Sequence, residues 1–243
     1  MKNIVIIGGV IVLVFGFLTP QITQAQGTIY LSNLGEPSTG SRAVGSDSWL
    51  AVPFVTGIND GGYILNSIQL GVGNASGNPG GFTVMLYATK PLSASPGNSL
   101  GALSGSTDPA TSGVYTYSPA GNLTLSEFTE YLIVLTAGTA VANGAYQWSF
   151  TSTSSYNQAG RWSIGTFAGP GPFLSSINGS SWSPIPTTYL QLAINATAVP
   201  EPGGLSLFVL GGLLFGFGRW KAKAVKSKVQ SSMELSFWSS APA

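Results

Sequence analysis

The sequence predicts an all-β protein: an antiparallel β-sandwich of jelly-roll type, preceded by an N-terminal signal peptide and followed by one C-terminal transmembrane helix. Three observations predict it. Through the middle of the chain, short runs alternate apolar and polar residues with a period of two, as half-buried strands do. Clusters of Gly, Pro, Asn and Ser separate these runs, as turns require. No stretch between the two ends keeps a helical apolar period for three turns. A closed barrel has the same periodicity and remains the alternative architecture.

Taken in order, residues 1–25 read as the signal peptide. Lys2 supplies the positive start and Ile4 to Leu18 the apolar stretch. Thr23 and Ala25 stand at the −3 and −1 positions of a cut between Ala25 and Gln26. Residues 26–198 form the expected β domain, outside the membrane. In SWLAVPFVTG, Leu50, Val52 and Phe54 share a face; in SIQLGVG, Ile68, Leu70 and Val72 do. FTVMLYAT sets Phe82, Val84 and Leu86 against Thr83, Met85 and Tyr87. EYLIVLTAG is apolar without a break from Tyr131 to Leu135, the pattern of a central strand covered on both faces. AYQWSF aligns Tyr146, Trp148 and Phe150, and TYLQLAINA aligns Leu190, Leu192 and Ile194. Turns are expected at 59–62, 77–81 and 95–98, where Asn, Asp, Gly and Pro supply the required backbone angles.

Residues 199–228 carry three unlike features. Pro200, Glu201 and Pro202 come first, then the apolar run Gly203 to Gly218, then the basic residues Arg219, Lys221, Lys223, Lys226 and Lys228. As a helix at ~1.5 Å per residue the run is ~24 Å long, a little under the ~30 Å hydrocarbon core. Trp220 and snorkelling lysines extend it at the interface. The positive-inside rule keeps Lys2 and the basic tail cytoplasmic and puts the β domain on the other side. Residues 229–243 form a C-terminal extension containing Phe237 and Trp238.

Charge and composition exclude several functions. Only 7% of the chain is charged. Between Gly27 and Val199 stand three basic residues (Arg42, Lys90, Arg161) and six acidic ones (Glu36, Asp47, Asp60, Asp108, Glu127, Glu130), a formal net of −3. A basic stripe is missing, so no nucleic-acid partner is expected. The sequence has neither cysteine nor histidine. This removes disulfides, thiolate or imidazole metal ligands, and the Ser-His-Asp triad.

The order triplet, short apolar helix, basic cluster, with Val199 before the triplet, resembles the PEP-CTERM sorting signal. The resemblance implies that a membrane-embedded exosortase recognises Pro200, Glu201 and Pro202 and processes the protein. It also implies an exported, inner-membrane-tethered precursor. Its destination would be the cell surface or extracellular matrix of a Gram-negative, biofilm-forming bacterium. Family tails stop a few residues after the basic cluster, so residues 229–243 depart from the pattern. The body from Trp49 to Ala196 resembles the choice-of-anchor R domain, through AVPFVTG, YILNSIQLGVG, FTVMLYATKPLSASPGNSLGALSG, VYTYSPAGNLTLSEFTEYLIVLTAG, YQWSFTSTSS, GRWSIGTF and INGSSWS in that order. That family has no assigned catalytic activity and lends no functional residue to the body.

The expected role is therefore structural or adhesive, associated with exopolysaccharide, with no enzyme activity and no cofactor. The alternative is an extracellular carbohydrate-binding module or an enzyme acting on glycans. For that reading Trp49, Trp148, Trp162 and Trp182 are the aromatic rings on offer, and Trp162 in GRWSIG and Trp182 in NGSSWSP are the glycan-contacting candidates, because both sit beside loop chemistry. Trp148, on one face with Tyr146 and Phe150, reads as core. Glu36, Asp47 and Asp60 offer oxygen ligands for Ca²⁺ but match no loop spacing, so no metal site is expected. Glu127 and Glu130 read as solvated loop charges rather than a glycosidase pair. Four Asn-Xaa-Ser/Thr triplets, at Asn74, Asn122, Asn178 and Asn195, fall within chance in a chain so rich in these residues.

Overall fold

The computed structural model describes residues 27–90, 95–165, 173–185 and 188–200. The expected signal peptide with its expected Ala25–Gln26 cut, Glu201, Pro202, the apolar run, the basic cluster and the extension lie outside the described residues.

The body is all-β. In chain order its strands are β1 (Thr28–Ser32), β2 (Gly40–Val44), β3 (Trp49–Val55), β4 (Tyr63–Gly77), β5 (Thr83–Thr89) and β6 (Pro96–Ser104). They continue as β7 (Gly113–Pro119), β8 (Leu123–Leu125), β9 (Glu130–Thr136), β10 (Gly144–Thr151) and β11 (Asn157–Gln158). The last are β12 (Ser163–Ile164), β13 (Phe173–Ser176), β14 (Ser183–Ile185), β15 (Tyr189–Leu190) and β16 (Leu192–Ala198). One short 3₁₀ turn, Val141–Asn143, is the helical exception among the described residues.

Every strand pairing is antiparallel. Two ladders result. One runs β11-β1-β16-β4-β7, with β2, β8, β10 and β15 attached; the other runs β6-β5-β9-β3-β13-β14, with β12 on β3. A short β6–β7 pairing joins them, Leu103 opposite Pro119. Their inward faces meet in one core. Leu70, Trp148 and Ile194 come from the first ladder, and Phe54, Leu86 and Ile133 from the second. The arrangement is sandwich-like, and the apolar sets predicted from period-two alternation are its inner faces.

β9 is covered on both sides, as its unbroken apolar run predicted. Ile133 and Leu135 face the main core, while Leu132 and Val134 belong to a second cluster on the outer side. β3 departs from the half-buried pattern: Ala51 and Pro53, between its inward residues, are also buried. It lies between β9 and β13, and its outward side chains are as apolar as its inward ones.

Three local differences have physical causes. β4 is 15 residues long because it changes partner along its length. It pairs with β16 over residues 63–70 and with β10 over residues 72–77. The branch is at Gln191, which breaks the expected TYLQLAINA strand into β15 and β16. The Gln191 N–H donates to Ser149 O (2.8 Å), and its carbonyl accepts from Gly71 N (3.0 Å) and Trp148 Nε1 (2.9 Å). Asn33, buried, ties both sides of the break: Leu192 N–H donates to its Oδ1 (2.8 Å), and its Nδ2 donates to Leu190 O (3.2 Å). The turn expected at 95–98 is mostly strand, since Pro96, Gly97 and Asn98 open β6. The β5–β6 register slips twice beside them, so this Gly/Pro chemistry serves bulges.

Candidate functional site

The four described tryptophans separate by face. Trp148 is core, as expected. Trp162 corrects the sequence reading. It is 1% exposed and sits in a column of rings inside the body, so it offers no face to a sugar. Tyr30, Trp162, Phe54 and Tyr131 follow one another with centroids 4.8, 5.7 and 5.7 Å apart and nearly parallel planes at Trp162. Tyr63 meets Tyr30 and Trp162 edge-on at 5.1 and 5.0 Å. Tyr30 and Tyr63 belong to one ladder, Phe54 and Tyr131 to the other, so Trp162 knits the two layers. Its loop position misled because the neighbouring β12 pairs with β3 and carries it inward. Its indole N–H has no hydrogen-bond partner among the described residues.

Trp182 lies on the opposite side of the same strands. With Trp49, Met85 and Tyr87 it packs, partly buried, against Ala51, Leu132, Val134 and Leu174. The registers place Leu174, Ala51, Val134 and Met85 in one row across β13, β3, β9 and β5. Leu132 and Tyr87 sit in the next row. The outer face of this ladder is thus apolar and aromatic. Parity carries the signal that sequence reasoning missed: on β3, Trp49 and Ala51 are out of phase with Leu50, Val52 and Phe54.

The indoles are fixed by local backbone. Trp49 Nε1 donates to Ser46 O (2.9 Å) and Trp182 Nε1 to Gly179 O (3.0 Å). Gly179 (φ +72°) lies so close to Trp49 that an added Cβ would come within 2.9 Å of the ring. The β13–β14 turn is ordered by its own side chains. Gly179 N–H donates to Ser176 Oγ (2.9 Å), and Asn178 Oδ1 accepts from Ser180 N (3.0 Å) and Ser180 Oγ (2.7 Å). Chemically this is an aromatic surface bordered by hydroxyls, the combination that stacks on sugar CH groups and bonds their hydroxyls.

The acidic residues do other work. Asp47 Oδ1 accepts from Val141 N (2.8 Å), and Glu127 Oε2 accepts from Asn59 N (3.1 Å). Glu130 is buried on β9 opposite Val55, which corrects its reading as a solvated loop charge. Among the described residues, no group of three or more His, Cys, Asp or Glu could hold a metal ion. Arg42 closes one edge of the core, its guanidinium over the rings of Phe150 (5.7 Å) and Phe173 (5.9 Å). Burial, with a hydrogen bond to Asp108 adding to it, pushes the Tyr146 hydroxyl up to about 12. Burial likewise raises Tyr117, Tyr156 and Tyr30.

Fold and surface together define an all-β antiparallel body with an aromatic patch on one outer face. Compared with known proteins, the chain matches no family model, and no curated protein is significantly similar to it.

Proposed function

We propose that this chain is an exported protein of the cell surface or extracellular matrix, with a structural or adhesive role beside exopolysaccharide in a biofilm. An exosortase would sort it through Pro200, Glu201 and Pro202. In the same reading the body is a jelly-roll sandwich, residues 1–25 are removed on export, and the run Gly203–Gly218 anchors the precursor in the inner membrane. One observation carries the proposal: β16 ends at Ala198, and the exposed Pro200 follows two residues later. A processing enzyme would therefore meet Pro200 outside the strands of the body. The test is mass spectrometry of the surface-associated chain in a host that makes an exosortase. The expected form begins at Gln26 and ends near Pro202. An intact C-terminus in every surface copy, with and without the exosortase, defeats the sorting step.

The outer patch favours a second reading, a carbohydrate-binding module. Trp49 and Trp182 are held in place by bonds to backbone carbonyls, so a glycan would meet rings already oriented. Calorimetric titration with soluble polysaccharide should give binding that Trp182→Ala weakens at least tenfold. Equal affinity for both proteins removes this reading.

A further inference from the structure

We infer that the loops 57–62 and 126–129 form a membrane-contacting tip, which seats the body on a zwitterionic lipid interface beside its own anchor. The inference rests on the anchor reading above.

The loops are built as one unit. Phe128 N–H donates to Gly57 O (3.0 Å), and Asn59 N–H donates to the Glu127 carboxylate (3.1 Å). Thr56 Oγ1 donates to Ser126 O (2.7 Å) and accepts from Thr129 N (2.9 Å). From this unit project two of the most exposed large apolar side chains among the described residues, Ile58 (58%) and Phe128 (64%). Phe128 is held at φ +41°, in the left-handed region that a bulky L residue avoids. The bonds on either side of it over-determine that backbone.

The same unit holds the chain where it leaves the body. Val199 N–H donates to Gly62 O (3.0 Å), and Asn59 Nδ2 donates to Val199 O (3.1 Å). Gly61 is required there, because an added Cβ would lie 2.5 Å from Val199 O. The apolar run begins at Gly203, four residues later. Four residues reach at most ~14 Å. An anchor starting there brings the bilayer surface to this end of the body. Apolar tips beside a chain exit suit the headgroup boundary, where such side chains bury their surface. Charge selects the lipid. Asp60 and Glu127 lie in these loops and no Lys or Arg does, so anionic headgroups are disfavoured.

The absence of cysteine permits a direct test. Full chains carrying Ile58→Cys, Phe128→Cys, Ile177→Cys or Leu210→Cys are labelled with a fluorophore and reconstituted in phosphatidylcholine vesicles containing nitroxide lipid. Ile177, 76% exposed, marks the opposite end of β3, where Ser176 faces Trp49. Circular dichroism checks that each variant keeps its strands. The expected result is strong quenching at 58 and 128 by nitroxide near the headgroup, quenching at 210 by deep nitroxide, and none at 177. Added anionic lipid should leave quenching at 58 and 128 equal or weaker. Quenching at 210 with none at 58 and 128 overturns the tip and leaves the anchor standing. No quenching at any position overturns the anchor, and the tip with it. Equal quenching at 58, 128 and 177 also overturns the tip, because the body would then lie on the bilayer without a preferred end.

Discussion

Two aromatic regions lie back to back across the β3–β9 ladder. Inside, Tyr30, Trp162, Phe54 and Tyr131 stack between the layers; outside, Trp49 and Trp182 cover Ala51, Leu132, Val134 and Leu174. The same strand serves both, since Phe54 and Trp49 on β3 point to opposite faces. Residue type does not separate the regions. Strand parity does, and it decides which rings hold the body together and which remain within reach of a ligand.

The largest effect separating the regions should be alkaline unfolding of the interior. The hydroxyls of Tyr117, Tyr146, Tyr156 and Tyr30 are all raised above the usual 10 by burial, Tyr146 to about 12. A phenol that stays protonated in the fold but ionises in the unfolded chain makes unfolding release a proton. The stability these groups contribute is complete below about pH 10 and is lost as pH rises through their folded values. The urea midpoint should hold level up to about pH 10 and then fall steadily. A level midpoint at pH 11.5 contradicts the buried hydroxyls.

Next comes the column itself. Trp162→Ala opens a cavity between the layers, and a buried Trp→Ala change costs about 3–5 kcal/mol. Chemical denaturation measures it. Trp162→Phe is the sharper probe. It keeps a ring between Tyr30 and Phe54 while removing an indole N–H that has no partner among the described residues. A buried donor left unpaired costs about 1–3 kcal/mol, so its removal offsets much of the lost volume. The Phe variant should stay within about 1.5 kcal/mol of the parent. A loss as large as that of the Ala variant means the N–H is not an uncompensated cost.

Much of this was legible in the sequence. The inward faces of β3, β4, β5 and β10 follow from alternation alone, because one buried face fixes register. The unbroken run Tyr131 to Leu135 correctly forecast a strand covered on both sides. What alternation cannot encode is partner choice. The branch at Gln191 depends on Asn33, more than 150 residues away, offering both a donor and an acceptor at the break. Trp162 and Trp182 looked alike for the same reason. Each sits near Gly and Ser, and only the pairing of the short strands beside them, β12 on β3 and β14 on β13, assigns one inward and the other outward. The Pro96-Gly97-Asn98 stretch carries turn chemistry that also suits a bulge, and composition does not distinguish the two.

The smallest effect is expected at the outer patch, and it tests the comparison most directly. Trp182 is partly buried, its N–H bonds a carbonyl of its own turn, and the residues beneath it lie on three different strands. Truncation exposes their outer atoms to water without opening a void between the layers. Trp182→Ala should therefore cost only about 1 kcal/mol, a few-fold less than Trp162→Ala. The two substitutions sit on opposite faces and share no partner, so the double variant should lose the sum of the single losses to within about 0.5 kcal/mol. If Trp182→Ala instead destabilises as much as Trp162→Ala, the outer patch is a second core. A ligand surface can lose a ring and keep its fold; a second core cannot.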